Sequence, residues 1–344
     1  MNLKYIKITT IILTLIIAVN IGFGGPRNKF GTEAAPELLI PIGSIGTALS
    51  GSNISSLTGV DAMFWNPAGL SQLNSQKAEV LISHMQYFGD MNMSYLGAGA
   101  SIGTLLNIGV SVRSLNIGDI LETTETQPEG TGTIFTPTYI IADLTLSKQM
   151  TDKIRFGTNV KLISESVADV SATGVAFDFG IQYKGGNTGF TFGIVIKNLG
   201  PSLTFNGSGL DRTITQINGQ TSVQRVNLQS FDLPTSLEMG MGYAANFGKQ
   251  NTIGISAAFQ NSGFSSDQYK FGLQYAWKDI LFLRGGAIIT PDFQSGESLF
   301  GPTLGVGLHY PIGTLNLGFD YAYRFINETA FNSTNQYFTL NIGF

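Results

Sequence analysis

The feature that most constrains the fold is an alternation of apolar and polar residues that recurs from about Lys77 to Phe344. Successive side chains of a β-strand point to opposite faces, so a period of two predicts strands. In the segment 175–184, for example, large apolar side chains occupy every second position: Val175, Phe177, Phe179, Ile181 and Tyr183. A soluble β-sandwich alternates in the same way, so the pattern predicts an all-β chain without deciding what surrounds it.

The composition indicates that part of this chain faces lipid. Only 12% of the 344 residues are charged and 43 are glycine, whereas a soluble domain averages about 25% charge and about 7% glycine. The only long apolar run lies at the extreme N-terminus, which excludes a bundle of membrane helices. Several apolar faces are aromatic near the strand ends and aliphatic in the middle, while the opposite faces carry glycine, amides and single charges. This distribution is typical of an outer-membrane β-barrel.

Periodicity predicts about fourteen antiparallel strands, and the connection lengths support that number. The predicted strands are 77–88, 91–102, 105–117, 138–150, 153–166, 170–184, 188–199, 232–246, 250–261, 267–277, 279–289, 299–310, 313–325 and 334–344. Connections that follow odd-numbered strands include the long segments 118–137 and 200–231, whereas those that follow even-numbered strands are short. Bacterial barrels have an even strand number, short periplasmic turns and longer external loops. We therefore predict a transmembrane β-barrel over residues 77–344.

The N-terminal segment 1–24 has the organisation of a secretory signal peptide. Lys4 and Lys7 form a basic region, an apolar run follows, and small residues suit cleavage near Gly24. The alternative is a single membrane-anchoring helix. Once Lys4 and Lys7 are removed with the signal peptide, the chain has 17 basic and 23 acidic residues. The resulting net charge of −6 argues against a nucleic-acid partner. We predict export to the bacterial outer membrane.

Residues 25–76 do not alternate, and they are rich in glycine, serine and small apolar residues. The run from Trp65 to Gly69 reads as a tight turn, because Pro67 fixes φ and lacks an N–H donor. The segment is either a disordered tail or a plug in the barrel lumen. Its moderate hydrophobicity and lack of charge runs favour a luminal hatch.

Strand parity places a set of charged side chains on the luminal face, because a cation facing lipid at mid-depth costs about 2–4 kcal/mol. These residues are Arg155, Lys161, Asp178, Lys184, Lys270, Asp320 and Arg324. One interpretation is that they pair with one another and with the hatch and so hold it in place. The alternative is that some of them line a permeation path.

The last strand ends the chain with apolar residues on one face: Phe338, Leu340, Ile342 and Phe344. A terminal strand must pair across the barrel seam to satisfy its backbone groups. An aromatic C-terminus is also similar to the signal that the outer-membrane insertion machinery reads.

No pattern in the sequence indicates catalysis or a cofactor. The two histidines, His84 and His309, have no nucleophile-elbow sequence near them, so we expect no enzyme. The acidic residues of the loop 118–137 could suggest calcium, but their irregular spacing does not match an EF-hand and favours a solvated loop: Asp119, Glu122, Glu125 and Glu129. The absence of cysteine excludes disulfides, thiolate zinc sites and a lipidated N-terminal cysteine.

Two stretches in the N-terminal segment, GSIGTALSG at 43–51 and VDAMFWNPAGL at 60–70, resemble the PorV/PorQ family of outer-membrane proteins, which is similar to FadL-type transporters. The resemblance continues through 118–132, 149–163, 169–183, 195–203, 233–243 and 320–323. It implies a fourteen-stranded barrel with an N-terminal hatch. Within that hatch, a family turn would be matched by Asn66, Pro67 and Ala68.

The resemblance implies two functions that share this fold. The resemblance to PorV implies a type IX secretion component. Such a component would bind the C-terminal signal domains of exported cargo, or other secretion components, through the loops 118–137 and 200–231. The alternative is implied by the similarity to FadL-type transporters. It is a route for hydrophobic small molecules that opens by hatch movement or through the wall. A transporter should show a contiguous apolar pocket under the hatch and a kink or gap in the wall. A shuttle should expose apolar loop groups such as Ile134 and Phe135.

Overall fold

The computed structural model describes residues 29, 31–73, 77–87, 89–103, 106–215, 220–291, 300–326 and 335–344. The predicted signal peptide lies outside these residues, as do residues 25–28, Phe30 and 74–76 of the predicted hatch segment. Among the described residues, no helix combines the length and apolar character needed to cross a lipid bilayer.

Eighteen strands follow the hatch in the described chain. They are β1 (Ala78–Gln86), β2 (Asn92–Ile102), β3 (Leu106–Asn116), β4 (Ile120–Leu121), β5 (Ile134–Phe135), β6 (Thr138–Gln149), β7 (Ile154–Val167), β8 (Val170–Lys184), β9 (Phe190–Leu199), β10 (Asp211–Thr215), β11 (Thr221–Arg225), β12 (Ser236–Phe247), β13 (Asn251–Ser262), β14 (Gln268–Trp277), β15 (Leu281–Ile289), β16 (Phe300–Ile312), β17 (Leu315–Ile326) and β18 (Asn335–Gly343).

Fourteen of these strands close into one antiparallel barrel, which confirms the predicted fold class. Along the barrel, each strand pairs with the next barrel strand in sequence. The strands β4 and β5, and likewise β10 and β11, instead form small two-stranded sheets within the long loops. The terminal strand β18 pairs with β1 from Glu79↔Gly343 to Gln86↔Gln336 and closes the barrel. The Phe344 N–H extends that pairing by donating to Ala78 O at 2.8 Å.

The outer face of the barrel is apolar, as a surface in contact with hydrocarbon must be. Exposed aliphatic side chains such as Leu96, Leu162 and Leu273 lie along the strands. Exposed aromatic side chains form a ring near the short turns: Phe156, Phe190, Phe247, Trp277, Tyr310 and Phe344. A closed barrel with this outer face is the architecture of bacterial outer-membrane proteins, and it confirms the predicted location in that membrane.

The hatch, residues 31–73, fills the middle of the lumen. It contains two short α-helices, α1 (Ser44–Ala48) and α2 (Ala62–Trp65), and two 3-10 turns, Pro36–Leu39 and Pro67–Ser71. Ile54, Val60 and Leu70 of this segment are fully buried, and Leu81, Met93 and Tyr95 of the wall lie in the same apolar cluster as Val60 and Leu70. The packed interior of the barrel is therefore formed between hatch and wall.

Candidate functional site

The hatch turn Asn66–Pro67–Ala68 lies against the wall at β6, β7 and β8. The fully buried Asn66 amide donates to Ile54 O at 3.0 Å and Ile181 O at 3.2 Å, and its Oδ1 accepts from the Ala68 N–H at 3.2 Å. Gly180 permits this approach, because a Cβ there would lie 2.1 Å from Asn66 Oδ1. The Asn-Pro-Ala turn thus connects two hatch segments to the wall.

Neutral hydrogen bonds hold the hatch around much of the barrel circumference. Ser44 Oγ lies 2.8 Å from Thr339 Oγ1 on β18, and Ser52 Oγ lies 2.6 Å from Ser256 Oγ on β13. On β7, the Asn159 amide donates to Met63 O at 2.7 Å. Several strands therefore share the attachment of the hatch.

The luminal charges form ion pairs that join one wall strand to another. Lys161 Nζ lies 2.7 Å from Asp178 Oδ2, both side chains being almost fully buried. Of the other predicted residues, Lys270 pairs with Glu238 at 3.1 Å and Asp320 pairs with Arg284 at 2.6 Å. These ion pairs link wall strands, as in the half of the interpretation that has the charges pair with one another, and none of the three joins a hatch residue among the described ion pairs.

The remaining three predicted luminal charges differ from one another. Arg155 is buried. The Arg324 guanidinium carbon lies 3.7 Å from the Phe300 ring centroid. Lys184 shares the luminal parity of β8 but is exposed, because it is the last residue of the strand at the short-turn rim. Its prediction as a lumen-facing charge is corrected in that respect.

Sequence reasoning missed several buried luminal charges. They are Glu79, Arg113, Asp143, Glu165, Lys197, Glu238 and Arg284; all but the partly buried Asp143 are buried. Strand parity applied to every strand would have found them. The Arg113 guanidinium lies 5.3 Å from the Phe64 ring centroid of the hatch, and none of its nitrogens has a hydrogen-bond partner among the described residues.

The hatch leaves a cavity of about 260 Å³ on the long-loop side of the lumen, here called the upper chamber. The aromatic pair Phe64 and Trp65 contributes to its floor, with ring centroids 5.0 Å apart and planes nearly perpendicular. Lys197 lies 5.1 Å from the Phe64 centroid and 2.9 Å from Glu238 Oε1. The upper chamber therefore combines aromatic walls with an excess of cations, since Lys197, Lys270 and Arg324 face the single carboxylate of Glu238.

Among the described residues, the wall beside the upper chamber loses its strand pairing between the end of β15 and the start of β16. The register between these strands ends at Gly286↔Thr303, although β15 continues to Ile289 and β16 begins at Phe300. Pro302 lies in this stretch and has no N–H to donate. On its other side, β16 shifts register against β17 between Phe300 and Thr303. We call this stretch, Ala287–Ile289 with Phe300–Pro302, the seam; its residues Ile288 and Phe300 also line the upper chamber.

A second and larger cavity, the lower chamber, lies on the short-turn side of the hatch and measures about 790 Å³. Asp61, Glu79, Arg284 and His309 contribute to its lining. The Arg284 guanidinium and His309 Nε2 both contact Asp320, at 2.6 Å and 2.8 Å. The two chambers therefore differ in charge: the upper one is cationic, whereas in the lower one Asp61, Glu79 and Asp279 balance Lys278, Arg284 and His309.

Two hatch carboxyls have raised pKa values. Burial, together with the charges of Asp320 and Glu79, raises the pKa of Asp61 from 3.8 to about 8. Burial and the neighbouring Glu165 raise the pKa of Glu37 to about 7. Both carboxyls lie in the hatch, outside the membrane-spanning strands, and each is buried in it.

The residues considered for catalysis or metal binding lie in separate places. His84 is exposed on the outer face, with Nδ1 3.2 Å from Ser94 Oγ, while His309 faces the lumen. In the external loop, Asp119 accepts from Thr136 and Glu122 from Thr131. Within the described chain, no group of three or more histidine or acidic residues is arranged to hold a metal ion.

Comparison with solved structures places this barrel among FadL-like channels in fold. The toluene transporter TodX of Pseudomonas putida aligns with a TM-score of 0.55 at 14% identity, over 87% of this chain and 96% of that one. The monoaromatic hydrocarbon channel CymD gives 0.54 at 14% identity over 91% and 97% of the two chains. A FadL homologue of Pseudomonas aeruginosa gives 0.51 at 13% identity over 88% and 97%.

The fold is FadL-like. Identities this low establish the fold alone. No protein-family profile matches the chain, and no curated protein does either. The membership in the PorV/PorQ family that the sequence suggests therefore stays a prediction.

Proposed function

We propose that this protein carries small neutral hydrophobic molecules across the outer membrane, the alternative that the sequence left open beside secretion. Molecules enter the upper chamber from the long-loop side and leave through the seam between β15 and β16 into the membrane. The observation that carries the proposal is the position of the seam, because the wall loses its ladder directly beside an aromatic cavity.

The charge and attachment of the hatch support a lateral exit. An anion would be attracted to the upper chamber but would find no counter-charge at the buried acidic groups Asp61 and Glu79 below the hatch. Passage through the hatch would also break hydrogen bonds to many strands, including those of Asn66, Ser44 and Asn159. A neutral molecule that leaves through the wall avoids both costs. The solved structures of similar fold include proteins described as hydrocarbon channels and toluene transporters, which supports this substrate class.

The experiment measures uptake of radiolabelled toluene by cells that carry this protein in the outer membrane. Gln260→Trp places a bulky ring in the upper chamber, and Gln274→Trp makes the same change on the lumen-facing side of the wall in the lower chamber. We expect Gln260→Trp to lower uptake at least about fivefold and Gln274→Trp to leave it near wild type, with folding of both checked by heat-modifiable gel mobility. Equal loss in both variants would favour a route through the hatch, and loss in neither would contradict transport through the upper chamber.

The secretion function predicted from the PorV resemblance is the second candidate, and the external loops are the observation that favours it. The loop hairpins expose Ile134 (59%) and Val223 (68%), which are apolar side chains in the loops assigned to cargo binding. Deleting residues 211–225 would remove one of these surfaces without touching the upper chamber. Lost export of proteins with C-terminal signal domains, at unchanged toluene uptake, would support secretion over transport.

A further inference from the structure

The lower chamber contains two buried carboxylates with unused hydrogen-bonding capacity. Asp61 is 4% exposed, and neither of its carboxylate oxygens has a partner among the described residues. Glu79 is 3% exposed and accepts from the Asn341 amide through Oε1, while its Oε2 has no described partner. Buried polar groups are normally paired, so two such carboxylates facing one cavity indicate a missing cationic partner.

The backbone of the hatch is shaped around the Asp61 carboxylate. Gly43 has φ +78°, and a Cβ there would lie 2.0 Å from Asp61 Oδ1. No side chain can therefore occupy position 43 while Asp61 keeps its place. The glycine leaves room for the carboxylate at the point where Asp61 lines the chamber.

The nearby cations do not neutralise Asp61 and Glu79. Three basic residues line this chamber, and two of them, Arg284 and His309, contact Asp320 on β17, so a third carboxylate already uses them. The third, Lys278, is exposed in the turn after β14 and lies 4.6 Å from the Trp277 ring centroid. The rest of the lining includes apolar side chains of the hatch and wall, among them Ile45, Leu49, Leu57 and Phe282. The cavity thus has an acidic recess and an apolar body, and it is far larger than a bare metal ion needs.

We propose that the lower chamber binds an organic ammonium ion, with its cationic head between Asp61 and Glu79 and its short apolar body against Phe282 and Leu49. An ammonium group supplies up to three donors to these carboxylates, and the alkyl part is removed from water. This site is separate from the transport route through the upper chamber and the seam, so either proposal can fail while the other holds.

Protonation gives the site a second signature. Burial, and then the charges of Asp320 on β17 and Glu79 on β1, raise the pKa of Asp61 to about 8, while Arg284 on β15 opposes them. His309 on β16 lines the same chamber. At pH 7 the empty site therefore holds Asp61 as a neutral acid, and a bound ammonium displaces its proton. Binding should therefore release a proton, and affinity should fall about tenfold for each unit by which the pH is lowered below 8.

The test is calorimetric titration of the purified barrel, in uncharged detergent, with hexylammonium chloride. We expect hexylammonium to bind at least about tenfold more tightly than 1-hexanol or hexanoate, since only the cation pairs with the carboxylates. Asp61→Asn and Glu79→Gln should each weaken binding at least about tenfold. Asp143→Asn is the matched control, because it neutralises another luminal carboxylate that does not line this chamber, and it should change affinity less than twofold.

The proposal is overturned by equal binding of hexylammonium and 1-hexanol, by unchanged affinity in a folded Asp61→Asn variant, or by calcium chloride displacing the ammonium stoichiometrically. If Asp61→Asn does not fold, the wild-type ligand series and the proton count still decide. Titration in two buffers of different ionisation enthalpy gives that count, and absence of proton release at pH 7 contradicts the site.

Discussion

At the scale of single residues, the lumen separates two kinds of interaction. Charged side chains such as Lys161 and Asp178 pair within the wall, whereas neutral side chains such as Asn66 and Asn159 bond the hatch to it. Strand parity predicted that Lys161, Asp178 and Asp320 face inward, because alternation follows from backbone geometry. Their partners could not be predicted in the same way, since pairing across the lumen depends on strand register.

The buried pair of Lys161 and Asp178 gives the first prediction. Asp178 accepts from Asn159 at 3.0 Å and from the Asn198 N–H at 2.8 Å in addition to its contact with Lys161. Asp178→Asn leaves the Lys161 ammonium buried without its carboxylate, so we expect a loss of about 3–5 kcal/mol in the free energy of unfolding. Urea unfolding in lipid vesicles, followed by tryptophan fluorescence, measures it.

Two comparisons control this measurement. The double variant Lys161→Met with Asp178→Leu removes both charges and should lose less than the single variant. Asp211→Asn breaks the exposed pair with Arg225 in the β10–β11 hairpin and should leave the unfolding midpoint unchanged. A double variant that is no more stable than Asp178→Asn would contradict this account of the pair.

Asp61 gives a prediction about pH. Its pKa is about 8 in the folded protein against 3.8 ordinarily, so between these values the folded state keeps a proton that the unfolded state has lost. Stability should therefore decrease as the pH rises from 4 to 8. Glu37, with a pKa of about 7, contributes in the same direction.

The difference between wild type and Asp61→Asn isolates the Asp61 contribution. We expect the unfolding midpoint of wild type to fall more steeply with pH than that of Asp61→Asn, measured from pH 5 to pH 8 without added amine. Parallel profiles for the two proteins would show that Asp61 is already ionised in the folded state.

At the scale of elements, every barrel strand lies where periodicity predicted one. The largest difference at a strand start is β12, which begins at Ser236 instead of 232. Residues 233–235 turn locally, with the Thr235 N–H donating to Leu233 O at 2.7 Å, and Pro234 has no donor for a ladder. The loop strands β4, β5, β10 and β11 were not predicted, because runs of two to five residues carry too little periodicity.

The terminal strand β18 gives a prediction at this scale. Deleting Ile342, Gly343 and Phe344 removes pairing with β1 at Val80 and Glu79 and the bond from the Phe344 N–H to Ala78 O. We expect several-fold less heat-modifiable barrel in the outer membrane, because β1 is left with unpaired backbone groups where it closes the barrel against β18. Deleting the external residues 211–225 should leave the yield near wild type. Full yield from the C-terminal deletion would contradict the assigned role of Phe338, Leu340, Ile342 and Phe344 in assembly.

At the scale of the whole molecule, one hatch divides the lumen into chambers of different size and charge. The sequence predicted a hatch from composition, but its path depends on contacts between residues far apart in the chain, such as Ser44 with Thr339. The upper chamber could not be foreseen, since its floor of Phe64 and Trp65 meets its wall only in the folded barrel. The seam has one signal in the sequence, Pro302 within a predicted strand.

The most direct test of the transport account is to lock the seam. The chain contains no cysteine, so Ile288→Cys with Gly301→Cys introduces one disulfide between positions that would face each other if the β15–β16 ladder continued beyond Gly286↔Thr303. Met239→Cys with Phe259→Cys is the matched control, because these residues already pair between β12 and β13. We predict that oxidation lowers toluene uptake at least about fivefold in the seam variant, that reduction restores it, and that the control is unaffected. Undiminished uptake through an oxidised seam, with the disulfide verified by mass spectrometry, would contradict a lateral exit between β15 and β16.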